Sequence, residues 1–341
     1  MPFSPDAISA FELASSLQAR FVNKLENVAN RHGQSVRFEE TKWLRDEGLH
    51  GGGNRFTAPE GSIFNRATVN VSQIHYDDQP DKKLGSATAI STIIHPGNPH
   101  APSVHIHISW TEMKSGNGYW RIMGDLNPSV VNEEYKDRFT AAMKEAAPTL
   151  FNEAAAQGDR YFYIPALKRH RGVTHFYLES YHTDNRATDH KLAQQFGEAV
   201  IDTYVAILDA ALTSYPDCDD KARAEQLAYH TLYLFQVLTL DRGTTSGLLV
   251  HSQNDVGIMG SLPSQVDRNL LASWANLVDA PQDQLVRKLV DALPDSSPTN
   301  VGEEVKLALA SAVREHYRDN PEALALQARG NLIPPTVDNH S

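Results

Sequence analysis

The sequence holds a single cysteine, Cys218, among 341 residues. That excludes an intrachain disulfide framework and a cysteine-rich zinc site, and it fits a reducing compartment. No stretch approaches the roughly 18 consecutive apolar residues of a membrane-spanning helix. Basic residues are the minority: 31 Lys and Arg against 42 Asp and Glu give a formal net charge of -11. Such a balance argues against general binding to nucleic acid or to an anionic membrane. An anionic ligand would have to meet cations gathered locally. The first twenty residues lack the basic start and apolar middle of a secretory signal and the arginine content of a transit peptide. The expected location is therefore the cytoplasm. Internal repeats and low-complexity linkers are missing too.

What is present suffices for a substantial core, since 41% of residues are apolar in a chain of this length. Ile8, Phe11, Leu17, Phe21, Leu25 and Val28 recur every three or four positions and predict an amphipathic helix stopped near Gly33. A loop with the glycine run "EGLHGGGNR" follows. Strand-like stretches then alternate with Gly, Pro and Asn punctuation, which predicts an antiparallel meander. Helix is expected over about 132–156, 189–214 and 219–237, with a strand at 172–181 and a hairpin-like section over 240–263. These elements predict an α+β fold, a large central antiparallel sheet with helices on both faces. The sheet is expected to contain 62–76, 86–94, 102–112, 118–125 and 172–181. One domain over 1–330 and a polar tail over 331–341 complete the expectation.

Four histidines lie within "HPGNPHAPSVHIHISW", residues 95–110. Its end alternates: Val104, Ile106, Ile108 and Trp110 share one side, His105, His107 and Ser109 the other. Two imidazoles side by side on a strand suit a metal, a proton relay or the wall of a polar pocket. His175, Tyr177 and Glu179 share a side in the same way. The cluster "KRHR" at 168–171 reads as a solvated basic turn or an anion site. Asp241 with Arg242 reads as a substrate-positioning pair or an ion pair closing a turn, and Asp125 as a pocket carboxylate or a turn cap. "GGG" at 51–53 would let backbone N–H groups approach a ligand carboxylate, or form a mobile lid.

Eight pieces, "WLRDEGLHGGGNR", "GSIFNRATVNVS", "HPGNPHAPSVHIHI", "GDLNP", "YFYIP", "RGVTHFYLES", "LDRGT" and "SLP", occur in the order and spacing of the oxygen-dependent coproporphyrinogen III oxidases. Over about residues 43–263 the chain resembles a divergent member of that family. The resemblance implies a homodimer that takes a tetrapyrrole substrate. It implies decarboxylation of two propionates of coproporphyrinogen III to vinyls, with molecular oxygen as co-substrate and no organic cofactor. A divalent metal is a secondary expectation. Together with the residue readings it gives Glu179, Arg171 and His105 as candidate catalytic residues. Arg55, His95, Asn98, His107, Asp125, His175, Asp241 and Arg242 are candidate substrate contacts.

The departures are specific. The family's "HxNxR" is His105-Ile106-His107-Ile108-Ser109, so asparagine has become His107 and arginine Ser109. "GGGADLTP" is "RIMGDLNP", which keeps Asp125 and Pro128. A histidine pair on the next helix is "RFT" at 138–140, and Ala166 stands where a histidine is expected. "GGIFFDD" is "THFYLES", with Glu179 and Ser180 for the two aspartates, and Gln253 replaces an arginine. Glu179 reaches about 1.5 Å further than an aspartate would. Two other readings follow from these losses. One is a non-catalytic protein on the same fold that binds a tetrapyrrole or another anionic ring system. The other, weaker, is a metal hydrolase built on His105 and His107.

Overall fold

Period-two alternation organises the middle of the chain. In Ser103–Met113, Val104, Ile106, Ile108 and Trp110 are buried and the histidines half-buried, as a strand with one dry face requires. Its neighbours repeat the pattern. In the computed structural model, which describes residues 4–59, 61–250 and 255–333, the strands are β1 (Glu39–Leu44), β2 (Gly51–Thr57), β3 (Phe64–His75), β4 (Leu84–Pro96), β5 (Ser103–Met113) and β6 (Gly118–Asn127). A short pair, β7 (Tyr163–Ile164) and β8 (Arg169–His170), precedes β9 (Thr174–Tyr181). Seven strands form one sheet in the order β1-β2-β3-β4-β5-β6-β9, and each neighbouring pair is antiparallel. The expected α+β fold and its five expected strands are present.

Two stretches differ from expectation. Residues read as a glycine-rich loop form the edge hairpin β1–β2. Its outer strand exposes Glu39, Glu40 and Lys42, so no apolar alternation announces it. Gly52 and Gly53 pair with β1 on one side and β3 on the other, and Gly51 pairs with β3, so the run is neither a lid nor a set of open N–H groups. A Cβ on Gly53 would stand 2.2 Å from Nε1 of Trp43, so the glycine makes room for that indole on the sheet face. The second stretch, read as a hairpin, is helical: α6 (Arg242–Val250) and α7 (Asp255–Ile258). Asp241 accepts the Thr244 N–H at 2.7 Å, and this cap starts α6 despite the poor helix formers that follow it. Gln253 lies outside the described residues, as do 334–341 of the expected tail. Asn331, at the tail's start, accepts from Arg160 and donates its backbone N–H to Gln157 Oε1 at 3.2 Å.

Helices α1 (Pro5–Arg31) and α4 (Arg186–Ser214) cover one face of the sheet. Ser4 caps α1, with Pro5 in its first turn. Leu13, Leu17, Phe21, Leu25 and Val28 then bury one stripe of it against Val69, Val71, Ile90, Ile106 and Ile108. Gly197 lets α4 come close: a Cβ there would lie 2.7 Å from Leu17 Cδ1 and 2.9 Å from Ile108 Cδ1. The expected helix over 132–156 is two, α2 (Glu133–Ala146) and α3 (Phe151–Phe162), broken around Pro148. The other face meets α5 (Asp220–Thr239), behind which α8 (Arg268–Trp274), α9 (Gln282–Asp291) and α10 (Glu303–Asp319) form a second apolar cluster that Ile93 joins from the sheet. Among the described residues no helix is long and apolar enough to cross a membrane.

Candidate functional site

The second face of the sheet is polar and carries a cavity of about 300 Å³ between the strands and α5–α6. That is the lower end of the size range of small-molecule sites, roughly 300–1,000 Å³. Small side chains such as Ser72, Ala87, Ala89, Ser91 and Ser109 make its floor, and Tyr233, Val237, Asp241 and Thr244 stand across from them. Trp43 closes the edge nearest β1.

Antiparallel register brings His105, Asp125 and His175 side by side on β5, β6 and β9. The Asp125 carboxylate is fully buried. One of its oxygens lies 2.8 Å from His105 Nδ1; the other accepts from Arg171 Nη2 at 2.8 Å and Asn127 Nδ2 at 2.7 Å. Burial acts to raise its pKa, but the charges of Arg171 and His105 and the hydrogen bonds hold it well below the usual carboxylate range. Arg171 is only 1% exposed. It also donates to Gln236 Oε1 at 2.8 Å and lies against the rings of Phe162 and Tyr233. Lys168 and the β8 residues Arg169 and His170 are exposed, so the basic cluster is solvated except for the one arginine folded inward. His105 lines the cavity with its side chain 15% exposed. With Nδ1 held by Asp125, Nε2 is the ring nitrogen left for the cavity.

A second ion pair lies on the same face. Arg121, on β6, donates Nε–H to Glu179 Oε2 at 2.7 Å and Nη2–H to Oε1 at 3.1 Å, and the Tyr177 hydroxyl donates to the same carboxylate. Burial acts to lower the Arg121 pKa, but Glu179 and the neighbouring tyrosines raise it overall. Tyr161 donates to Asp241 at 2.9 Å. Burial, then the charges of Asp241 and Tyr177, keep Tyr161 a phenol, well above its ordinary pKa. Of the candidate catalytic residues, Glu179 pairs with Arg121, and the carboxylate that His105 meets is Asp125.

The other candidates divide. His107 lines the cavity and hydrogen-bonds Ser109 Oγ at 3.1 Å. Burial, then Arg121 and His105, hold it well below its ordinary pKa, so it is neutral. Asp241 lines the cavity as well. Arg55 sits on β2 opposite the cavity residue Asn70, with no hydrogen bond or ion pair among the described residues. His175 lies behind the site, its ring nitrogens 2.8 Å from Asp159 Oδ1 and 2.7 Å from the Arg171 carbonyl. His95 is fully buried, between Ser103 Oγ at 2.9 Å and the Ser261 carbonyl at 3.2 Å. Asn98 closes a turn by accepting the His100 N–H and donating to the Tyr215 carbonyl. Arg242 turns toward the Leu324 carbonyl, 3.2 Å away, instead of pairing with Asp241. His95, Asn98, His175 and Arg242 are therefore not at the cavity wall. Reading the sequence missed Arg121, Tyr161, Tyr233 and Gln236. Only Arg121 carried a signal: it alternates with Asp125 along "YWRIMGD". Among the described residues no group of three or more His, Cys, Asp or Glu is placed to hold a metal ion, so the hydrolase reading has no ligand set there.

The model of the coproporphyrinogen III oxidase family matches residues 10–292. The chain belongs to that family. Among the relatives of this chain, the mitochondrial oxygen-dependent coproporphyrinogen-III oxidase of Rattus norvegicus is 27% identical over 285 residues. The match covers 75% of this chain and 61% of the rat protein, so the chain spans less than two thirds of that relative. The enzyme of the same name from Rickettsia akari is 26% identical over 75% of this chain and 95% of its own length. That of Prochlorococcus marinus is 28% identical over 87% and 91%. The family match takes in every strand of the main sheet and both ion pairs at the cavity.

Proposed function

We propose that the chain carries out oxygen-dependent decarboxylation of coproporphyrinogen III propionates to vinyls, giving protoporphyrinogen IX. The observation that carries this reading is the His105–Asp125–Arg171 chain at the wall of a polar cavity, in a member of this family. Arg171 fixes the charge on Asp125, Asp125 fixes the His105 tautomer, and the Nε2 lone pair of His105 takes a pyrrole N–H proton. The deprotonated ring is electron-rich enough for oxygen to oxidise it directly. For each propionate, CO2 leaves and a vinyl forms. Two electrons and one proton from the side chain, with one proton from the medium, convert O2 to hydrogen peroxide. Arg171, with two N–H groups committed and its side chain buried, positions Asp125 and is not itself a substrate contact. Glu179, with both oxygens occupied, anchors Arg121 and is not the base. A homodimeric, cytoplasmic form belongs to the same reading and rests on the resemblance alone.

One observation favours the binding-only alternative: Arg171 is committed to Asp125 and Gln236, so it is not free to hold a reacting propionate beside His105. Mixing the protein with coproporphyrinogen III in air and under argon separates the two readings. Catalysis requires CO2 release in air alone, with hydrogen peroxide formed one for one. Binding with no CO2 in either atmosphere would leave the alternative standing.

A further inference from the structure

We infer that Arg121, held by Glu179, binds a ligand carboxylate in this chain, standing in from the next strand for the arginine that the family pattern has at position 109. The inference rests on the tetrapyrrole reading above and adds the residue that recognises the anion.

Ser109 and Arg121 are direct partners in the β5–β6 register, and both line the cavity. Side chains on directly opposed residues of an antiparallel pair leave the sheet about 5 Å apart on one face. A guanidinium rooted at 121 therefore covers the ground that one rooted at 109 would reach. Three substitutions then form one set: arginine becomes Ser109, a glycine of "GGGADLTP" becomes Arg121, and an aspartate becomes the longer Glu179. The last two meet in the two-pronged ion pair described above. That pair takes two of the five N–H bonds of Arg121. The other three have no partner among the described residues, and the side chain is 15% exposed at the cavity wall while that of Glu179 is fully buried. Glu179 thus holds the guanidinium from behind and leaves its open edge toward the cavity.

Stability gives little reason for such a pair. Buried ion pairs gain little over well-packed apolar residues of similar volume. Arginine's planar fork matches a carboxylate with paired hydrogen bonds, and those are about twice as strong as neutral ones. Apart from Arg171, whose terminal nitrogens are engaged, Arg121 is the one arginine or lysine at the cavity wall among the described residues. The neighbouring His107 is neutral. The ligand class is therefore an anion whose carboxylate reaches β6 across the Ser109 floor.

The test is the affinity of the intact protein for coproporphyrin III, the stable oxidised tetracarboxylate, read by quenching of tryptophan fluorescence with Trp43 at the cavity edge. Arg121→Gln together with Glu179→Gln removes the guanidinium without stranding a buried carboxylate. It is expected to weaken binding about 10- to 100-fold, the loss of a charged hydrogen-bonded contact. Ser109→Arg added to that double variant is expected to recover most of the loss. Glu179→Gln alone, which leaves Arg121 in place with a neutral partner, is expected to bind at least as tightly as the unaltered protein. Thermal melts establish that each variant is folded. A folded double variant that binds like the unaltered protein overturns the role of Arg121, while the tetrapyrrole reading survives. An unaltered protein that does not bind coproporphyrin III removes the tetrapyrrole reading and this inference with it.

Discussion

The two faces of the seven-stranded sheet come from the same strands, one residue apart, and have opposite characters. On one face Val104, Ile106 and Ile108 of β5 are at most 2% exposed and pack with α1 and α4. On the other, His105, His107 and Ser109 look into the cavity. Stability is concentrated on the first face, where burying an aliphatic side chain contributes about 1.5–3 kcal/mol. Chemistry is concentrated on the second, where small hydroxyl and amide side chains leave room and two ion pairs fix the polar groups. A rigid apolar layer directly beneath the site holds the imidazole of His105 and the guanidinium of Arg121 to positions that a loop would not keep.

The largest expected effect breaks the comparison. Arg171 belongs to the polar face yet is buried like a core residue. Arg171→Ala strands the Asp125 carboxylate and should destabilise the fold by about 3–5 kcal/mol, measured by denaturant unfolding. A loss under 1 kcal/mol would show that water reaches Asp125 and that the polar layer is not preorganised. The next sharpens it. Ile106→Ala opens a hole on the dry face and should cost about 2–5 kcal/mol, with porphyrin affinity unchanged below the melting transition. An affinity change matching the stability loss would mean that the faces are not separable.

The third effect is one of pH. Burial holds His95 and His107 well below their ordinary pKa and pushes His230 down to about 3. The unfolded chain takes up a proton on each below about pH 6.5 and the folded chain does not, so stability rises with pH between roughly 3 and 6.5. Each such histidine contributes a slope of up to about 1.4 kcal/mol per pH unit. His230→Gln should flatten the stability profile by about one proton over that window. An unchanged slope would mean that His230 is already protonated in the fold.

Much of this architecture was legible in the sequence because alternation reports a half-buried strand directly. β5 has a continuous apolar side, Val104-Ile106-Ile108-Trp110, and β3 and β6 carry shorter ones, Ala67-Val69-Val71 and Trp120-Ile122. β1 was not legible: an edge strand of Glu39, Glu40, Thr41 and Lys42 buries nothing and carries no period. α6 was hidden because Gly243, Thr244, Thr245, Ser246 and Gly247 are weak helix formers. The Asp241 cap and packing against α10 decide its conformation. At the site, residue types were visible but partners were not. That His105 faces Asp125 depends on which strands pair and in what register, information that lies in the whole sheet. Glu179 was visible as a retained charge, but its engagement by Arg121 required β6 and β9 to be placed side by side. His95 and Asn98 sit in a conspicuous motif and serve the fold, through Ser103, Ser261 and Tyr215.

The central claim is that His105, held by Asp125 at the cavity wall, handles the proton that starts oxidation. The most direct measurement is single-turnover CO2 release from coproporphyrinogen III in air by the His105→Gln variant, with binding followed in the same samples. The variant is expected to bind within about threefold of the unaltered protein and to release CO2 about 100-fold or more slowly, the scale for losing a general base. Release at the unaltered rate with His105 gone would contradict it.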